Sequence, residues 1–120
     1  MPFGDYQLHY SVVNTTFLSP LIAERYGITR GDRYAILNLS LRKFSNGNSS
    51  PKAMTLSART WDLIQSQDLR FLEIVETGTV YYLARFKFIN EEWRFFNIEF
   101  IPEDSNEKYQ FKFKHQLYIN

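Results

Sequence analysis

The chain has 120 residues, of which 44% are hydrophobic and 18% aromatic, so we expect one domain, residues 1–120, that folds without a disulfide or a metal. It contains no Cys, which excludes thiol catalysis and cysteine-based zinc sites. The formal net charge of +1 and the absence of a long apolar run predict no nucleic-acid partner and no membrane span. The five glycines are scattered singly and form no phosphate-binding loop, and we expect no cofactor.

The first predicted strand, Gly4–Val13, alternates apolar and polar residues. Ser19 and Pro20 then predict the start of a short helix, because Ser is a good N-cap and Pro suits the first helical turn. Gly27 is placed to end this helix in the left-handed conformation. The sequence therefore predicts one helix near Ser19–Tyr26.

The middle of the chain predicts two strands joined by a hairpin. Residues 30–33 are interpreted as a turn, since Gly-Asp chemistry explains the integrin-type tripeptide Arg30-Gly31-Asp32. Strands Tyr34–Phe44 and Lys52–Trp61 flank Ser45–Pro51, which is the clearest hairpin signal in the sequence. Residues 62–68 are compatible with either a helical turn or a loop.

Four further strands follow, and in the last three of them large rings alternate with polar residues: Leu69–Glu76, Thr79–Ile89, Trp93–Ile101 and Lys108–Ile119. This gives seven strands with regular turn signals and no β-α-β rhythm. Such a pattern predicts an all-β fold, a seven-stranded antiparallel immunoglobulin-like sandwich. A small barrel is the alternative.

Aromatic residues interleaved with cations in these strands resemble a surface on which nucleic-acid bases stack. Six acids balance six bases over the same stretch, and most rings have the alternation of a core, so we expect core packing. The rings of Tyr81, of Phe95 or Phe96, and of Tyr118 do not fit one buried face, and these remain candidates for an interaction surface.

Three lysines, Lys108, Lys112 and Lys114, share one face of the last strand. We interpret this row as protection of an edge strand against pairing, in preference to a stripe that binds ligand. An exposed terminal strand could also pair across a two-fold axis, and the oligomeric state is left open.

The two histidines provide the main alternative to a non-catalytic protein. His9 shares a strand face with Asp5, which admits a small hydrolase or isomerase site. A zinc or acid–base site needs more convergent groups than these two. His115 has the alternation of the core edge. We therefore expect structural roles for both histidines and predict no catalytic or metal site.

Several blocks of the sequence resemble one bacterial family, and they run nearly from end to end. They are Phe3–Tyr10, Asn14–Leu18, Tyr26–Arg30, Leu37–Ser40, Glu73–Gly78 and Tyr81–Ala84. The chain resembles the bacterial domain of unknown function 4426, whose members look like small exported proteins with a leader removed before the first block. The resemblance implies a periplasmic location, with Met1 in place of the leader and the cytoplasm as the alternative. It implies no activity, cofactor or site residue.

Together these observations predict a periplasmic module that binds a protein or a cell-envelope component without catalysis. We place its surface on the segment from Asn14 to Arg33 and on the outward rings. The candidate residues are Asn14, Thr15, Thr16, Arg30, Asp32, Tyr81 and Tyr118. Helix capping is the structural explanation of the polar residues at 14–16. Besides the hydrolase or isomerase, the remaining alternative is a single-stranded nucleic-acid binder that uses the aromatic strands.

Overall fold

The computed structural model describes residues 2–119 as two antiparallel sheets with a short helical segment between the second and third strands. The strands are β1 (Pro2–Phe3), β2 (Tyr6–Asn14), β3 (Tyr34–Ser45), β4 (Asn48–Lys52), β5 (Met54–Trp61), β6 (Ser66–Leu69), β7 (Leu72–Glu76), β8 (Thr79–Lys87), β9 (Trp93–Pro102) and β10 (Tyr109–Gln116). A 3₁₀ turn covers Thr15–Phe17, and the helix α1 covers Pro20–Arg25. No helix in this part of the chain is long and apolar enough to cross a membrane.

The first sheet has the order β1-β2-β3-β8-β7, with β4 also paired to β3, and the second has the order β10-β9-β5-β6. The predicted all-β antiparallel sandwich with one short helix is confirmed. Helix α1 begins as expected, because the Ser19 hydroxyl accepts the N–H of Ile22 at 3.2 Å. Gly27, with a φ of +68°, follows the helix in the left-handed conformation.

The predicted number of seven strands is wrong, since the described residues form ten. The hairpin predicted at Ser45–Pro51 forms, but its turn has only two residues, so most of this segment is strand β4. Asn46 and Gly47 have φ values of 51° and 80°, as a type I′ turn requires. The chain then changes sheets at Ala53, so the predicted strand Lys52–Trp61 contributes to both sheets.

Residues 62–68 form a tight turn followed by strand β6, so the helical alternative is wrong and the loop alternative holds only in part. The Asp62 carboxylate accepts the N–H groups of Ile64 and Gln65, both at 2.7 Å, and the Asp62 N–H donates to the Gln65 carbonyl at 2.9 Å. The Asp62 side chain therefore takes the place of a backbone acceptor in the turn, and the chain reverses direction between β5 and β6. Leu63 and Ile64 lie at the tip.

The core lies between the sheets and is built mainly from alternate residues of β2, β3, β5, β8, β9 and β10. Phe96 is 1% exposed, stacks on Phe113 at 4.6 Å and meets Phe86 edge-on at 5.3 Å. Tyr82 is buried while Tyr81 faces outward. Most rings of the last three strands therefore serve as core, in agreement with their alternation.

Hydrogen bonds join the two sheets at the opposite end of the sandwich from the Asp62 turn. The Tyr82 hydroxyl donates to Glu73 at 2.6 Å and accepts the Met54 N–H at 3.0 Å. The Asp104 carboxylate, in the β9–β10 turn, accepts the Tyr6 hydroxyl and pairs with Lys43 of the first sheet at 3.0 Å. These contacts fix the second sheet against the first.

The Asp104 contacts predict a loss of stability in acid. The Tyr6 hydroxyl, followed by Lys43, lowers the pKa of Asp104 from 3.8 to about 2. A depressed pKa in the folded state stabilises the protein above pH 4, and this contribution is lost as pH falls toward 2. Because 31% of this side chain is exposed, solvent screening leaves about 1 kcal/mol.

We expect Asp104→Asn to lose this amount at pH 7 in urea unfolding, and the difference from the parent protein to vanish by pH 2. Asp32→Asn, an equal change at an exposed position, should show no such difference; equal curves for both variants would contradict the prediction.

Candidate functional site

Three aromatic side chains stand on the outer face of the second sheet, and we call them the aromatic face: Trp61, Trp93 and Phe95. Trp93 and Phe95 alternate on β9 with the buried Arg94 and Phe96, which places them on the outer side. Register sets Phe95 between Trp61 on β5 and Lys114 on β10. The rings of Trp61 and Phe95 stack with centroids 5.9 Å apart and planes within 17°.

A cavity of about 490 Å³ opens between the Asp62 turn and the β8–β9 connection, and we call it the turn cleft. Its walls are Asp62, Leu63, Ile64, Ile89, Glu92, Trp93, Phe95 and Lys114. Leu63 is 98% exposed and Ile64 is 83% exposed, and Ile89 and Trp93 are also exposed. Exposed apolar side chains that converge on one cavity are typical of a surface that binds a partner.

Two wall residues of the turn cleft, Asp62 and Glu92, belong to an ionic cluster around the buried Arg94, which is 3% exposed. Arg94 Nη1 lies 3.3 Å from Asp62 and 3.4 Å from Glu92, and Nε donates to the Thr60 hydroxyl at 3.0 Å. Both carboxylates also accept backbone N–H groups of their own turns. One guanidinium therefore holds the two turns that form the walls of the cleft.

The pKa values of the two carboxyl groups are shifted in opposite directions. The backbone N–H of Gln65 lowers the pKa of Asp62, whereas burial raises the pKa of Glu92. Divergent pKa values in neighbouring carboxyl groups also occur in acid–base pairs. Here, however, the oxygens bind Arg94 and turn amides, so the cluster is positioned to hold structure.

Lys114 stands at the rim of the turn cleft with its ammonium group 4.9 Å from the centre of the Trp93 ring. A second cavity of about 370 Å³ lies on the same outer face, and we call it the lysine pocket. Its walls are Arg59, Trp61, Ser66, Asn97 and Lys112. Since Phe95 lines the cleft and Trp61 lines the pocket, the stacked pair forms the ridge between the two cavities.

Two of the predicted surface residues, Asn14 and Thr15, are buried and bonded within the protein. Asn14 Nδ2 donates to the Tyr118 carbonyl at 2.6 Å, and Asn14 makes no side-chain helix cap. The Thr15 hydroxyl accepts the Gly31 N–H at 3.0 Å and lies 3.0 Å from the Tyr34 carbonyl. They hold the segment between β2 and β3 against the sandwich, so capping is not the reason for their polarity.

The remaining predicted residues are dispersed. Arg30 donates to the Thr16 carbonyl at 3.0 Å, and Asp32 is exposed in the turn before β3. Tyr81 lines a cavity on the outer face of the first sheet. Tyr118 lines a different one of about 290 Å³ with Asn14, at the edge where β2 meets β10. The structure therefore brings Asn14 and Tyr118 together but sets Tyr81 apart from them.

The histidines also lie apart. His9 is exposed on the outer side of β2, opposite Ser40 of β3. His115 lines the cavity that contains Tyr118, and partial burial lowers its pKa. In residues 2–119 no group of three or more His, Cys, Asp or Glu side chains could hold a metal ion. The geometry offers no support for a joint site of His9 and Asp5.

Sequence reasoning missed the turn cleft, because its walls come from segments assigned to strand ends and loops. The sequence predicts Ile89 and Trp93 as ends of strands, and Leu63 and Ile64 as part of an ambiguous segment. The available signal was Asp62 followed by two apolar residues, since Asp favours the first position of a turn and leaves the next two side chains at its tip.

Comparisons with known proteins agree on a family and a fold. The family model of a domain of unknown function, DUF4426, matches residues 1–120. No curated protein matches the chain. The crystal structure of a DUF4426 family protein from Pseudomonas aeruginosa is 26% identical, with a TM-score of 0.83 over 100% of this chain and 94% of that one.

Two structures of FetP from uropathogenic Escherichia coli are also similar, both 10% identical and both covering 100% of this chain. A copper-bound variant has a TM-score of 0.70 with 94% of its chain covered. The as-isolated protein, expressed recombinantly in the periplasm, has a TM-score of 0.68 with 93% covered. At this identity the similarity concerns the fold alone.

Proposed function

The chain belongs to the DUF4426 family of unknown function, and we propose that it is a non-catalytic periplasmic module that binds a partner protein. The observation that carries this proposal is the turn cleft. Four exposed apolar side chains surround this cavity: Leu63, Ile64, Ile89 and Trp93. Arg94 joins the two turns on either side of it through its ion pairs. A rigid apolar pocket with an aromatic wall is the usual centre of a protein interface.

The fold is compatible with such a role. We interpret the sandwich as immunoglobulin-like, because β2-β3-β8-β7 and β10-β9-β5 follow the strand orders ABED and GFC of those domains. Sandwiches of this type serve widely as cell-surface binding domains. The periplasmic location is supported by the resemblance to exported proteins and by the expression of FetP in that compartment.

The copper of the FetP variant is not extended to this chain, because the described residues provide no cluster of three or more His, Cys, Asp or Glu side chains. A hydrolase or isomerase centred on His9 has no supporting observation either, since His9 and His115 face different surroundings. Binding without catalysis is therefore the function that the geometry supports best.

The double substitution Leu63→Ser and Ile64→Ser tests this proposal. Both side chains are almost fully exposed, so we expect the free energy of unfolding to change by less than about 0.5 kcal/mol. Loss of two interface anchors should weaken a partner contact by roughly 2 kcal/mol or more. A photo-cross-linking residue at position 63, in cells that produce the mature protein, should capture a discrete protein. A cross-linker at position 89, on the opposite wall of the turn cleft, should capture the same protein. The double substitution should abolish the product formed at position 89.

The matched control is Val75→Ser on β7, which is 70% exposed and lies in the first sheet. This change should leave the cross-linked product unaltered. A product of equal yield from the double variant and from the control would refute the turn cleft as the binding surface, and so would an absence of any specific product at position 63.

A further inference from the structure

The residues that line the lysine pocket carry two positive charges and no carboxylate, and the nearest acid across the sheet is Asp68 on β6, which lies opposite Arg59. The two cations, Arg59 and Lys112, point outward from β5 and β10, as does the neighbouring Lys114. Among residues 2–119, the ion pairs involve Lys43, Lys52, Arg94 and Lys108, and none involves these three side chains. Three cations against one acid leave an excess of positive charge at the pocket, which favours an anion.

The polar groups beside the cations are oriented by their neighbours. Gln110 donates to the Asn97 side-chain oxygen at 2.9 Å, which leaves the Asn97 amide group available as a donor. Arg59 lies 3.4 Å from the Ser66 hydroxyl oxygen, so the Ser66 hydroxyl hydrogen remains available. The walls thus present one amide donor and one hydroxyl between two cations.

The remaining wall is a single flat ring. Trp61 is held in place by its stacking against Phe95 at 5.9 Å and contributes to the lysine pocket. A fixed indole provides an apolar surface that attracts the weakly positive C–H groups of a ligand, because the ring face is electron-rich.

We propose that the lysine pocket binds a negatively charged sugar ring, one that carries a carboxylate or a phosphate. Arg59 and Lys112 bind the anionic group, Asn97 and Ser66 bind ring hydroxyls, and Trp61 packs against the C–H face. Nucleic acid fits less well, since successive bases need successive rings and this pocket offers one. This site goes beyond the proposed protein partner and does not depend on the turn cleft.

The chain has two tryptophans, so nuclear magnetic resonance of their indole N–H groups gives a direct test. Titration with D-glucuronate or D-glucose 6-phosphate should shift the Trp61 signal in a saturable manner and the Trp93 signal less. The comparison of these two sugars identifies the preferred anion. D-glucose lacks the anionic group, and inorganic phosphate lacks the sugar ring. Each should therefore bind at least about tenfold more weakly, the loss expected from one charge-assisted bond.

Variants make the assignment specific. Lys112→Gln should weaken the binding of the better acidic sugar about tenfold. Lys87→Gln, the same change on the exposed face of β8, should leave it unchanged. If Lys112→Gln binds as the parent does, or if no sugar shifts the Trp61 signal, the proposal fails and the lysines protect the edge strand. Tighter binding of a thymidine oligonucleotide than of either acidic sugar would refute it in favour of nucleic acid.

Discussion

Replacement of Phe96 by Ala is expected to lower the free energy of unfolding by about 3–5 kcal/mol, whereas the same change at Phe95 should cost only about 1 kcal/mol. Phe96 is 1% exposed and its ring is enclosed by Phe86 and Phe113, so truncation leaves a cavity that the sheets cannot close. Phe95 points outward and loses chiefly its stacking on Trp61. Urea unfolding followed by circular dichroism measures both values.

The pair is its own control, because the two residues are chemically identical, adjacent on β9 and separated only by the face they occupy. Equal losses for the two variants would mean that β9 is not oriented as described. In that case the aromatic face would not exist, and both the turn cleft and the lysine pocket would be lost with it.

Strand alternation made this part of the molecule predictable. A period of two assigns every second residue to the core, and rings at both parities, as in Phe95-Phe96 and Tyr81-Tyr82, show that some must face outward. Which member of each pair is buried depends on how the strand is paired, and that was not contained in the local sequence. The register of β9 with β5 and β10 decides it.

The candidate site was less predictable, because its parts are distant in sequence and each has an ordinary local explanation. Asp62 appears as a turn residue, Glu92 as a solvated loop acid and Arg94 as one of several strand cations. Only the sandwich brings them together, with Arg94 turned inward between the two carboxylates. For the same reason Asn14 and Thr15 resembled surface residues, although their partners Tyr118 and Gly31 lie elsewhere in the chain.

Arg94→Met is expected to lower the free energy of unfolding by about 3–5 kcal/mol at pH 7, because the substitution leaves Asp62 and Glu92 in a buried site without their cation. Arg33→Met, at an exposed position, should change it by less than about 0.5 kcal/mol. A loss below 1 kcal/mol for Arg94→Met would show that the cluster is not buried as described.

The pH dependence distinguishes the loss of this cation from simple loss of packing. Burial already raises the pKa of Glu92, and removal of the Arg94 charge raises it further. The folded variant then binds more protons than its unfolded state, so its stability should increase as pH falls from 7 to 5. Glu92→Gln in the Arg94→Met background should recover part of the loss at pH 7 and remove this pH dependence. A loss that is independent of pH would show that Arg94 contributes packing alone.

Because the same guanidinium holds the walls of the turn cleft, Arg94→Met should also abolish the cross-linked product at position 63 under conditions where the variant remains folded.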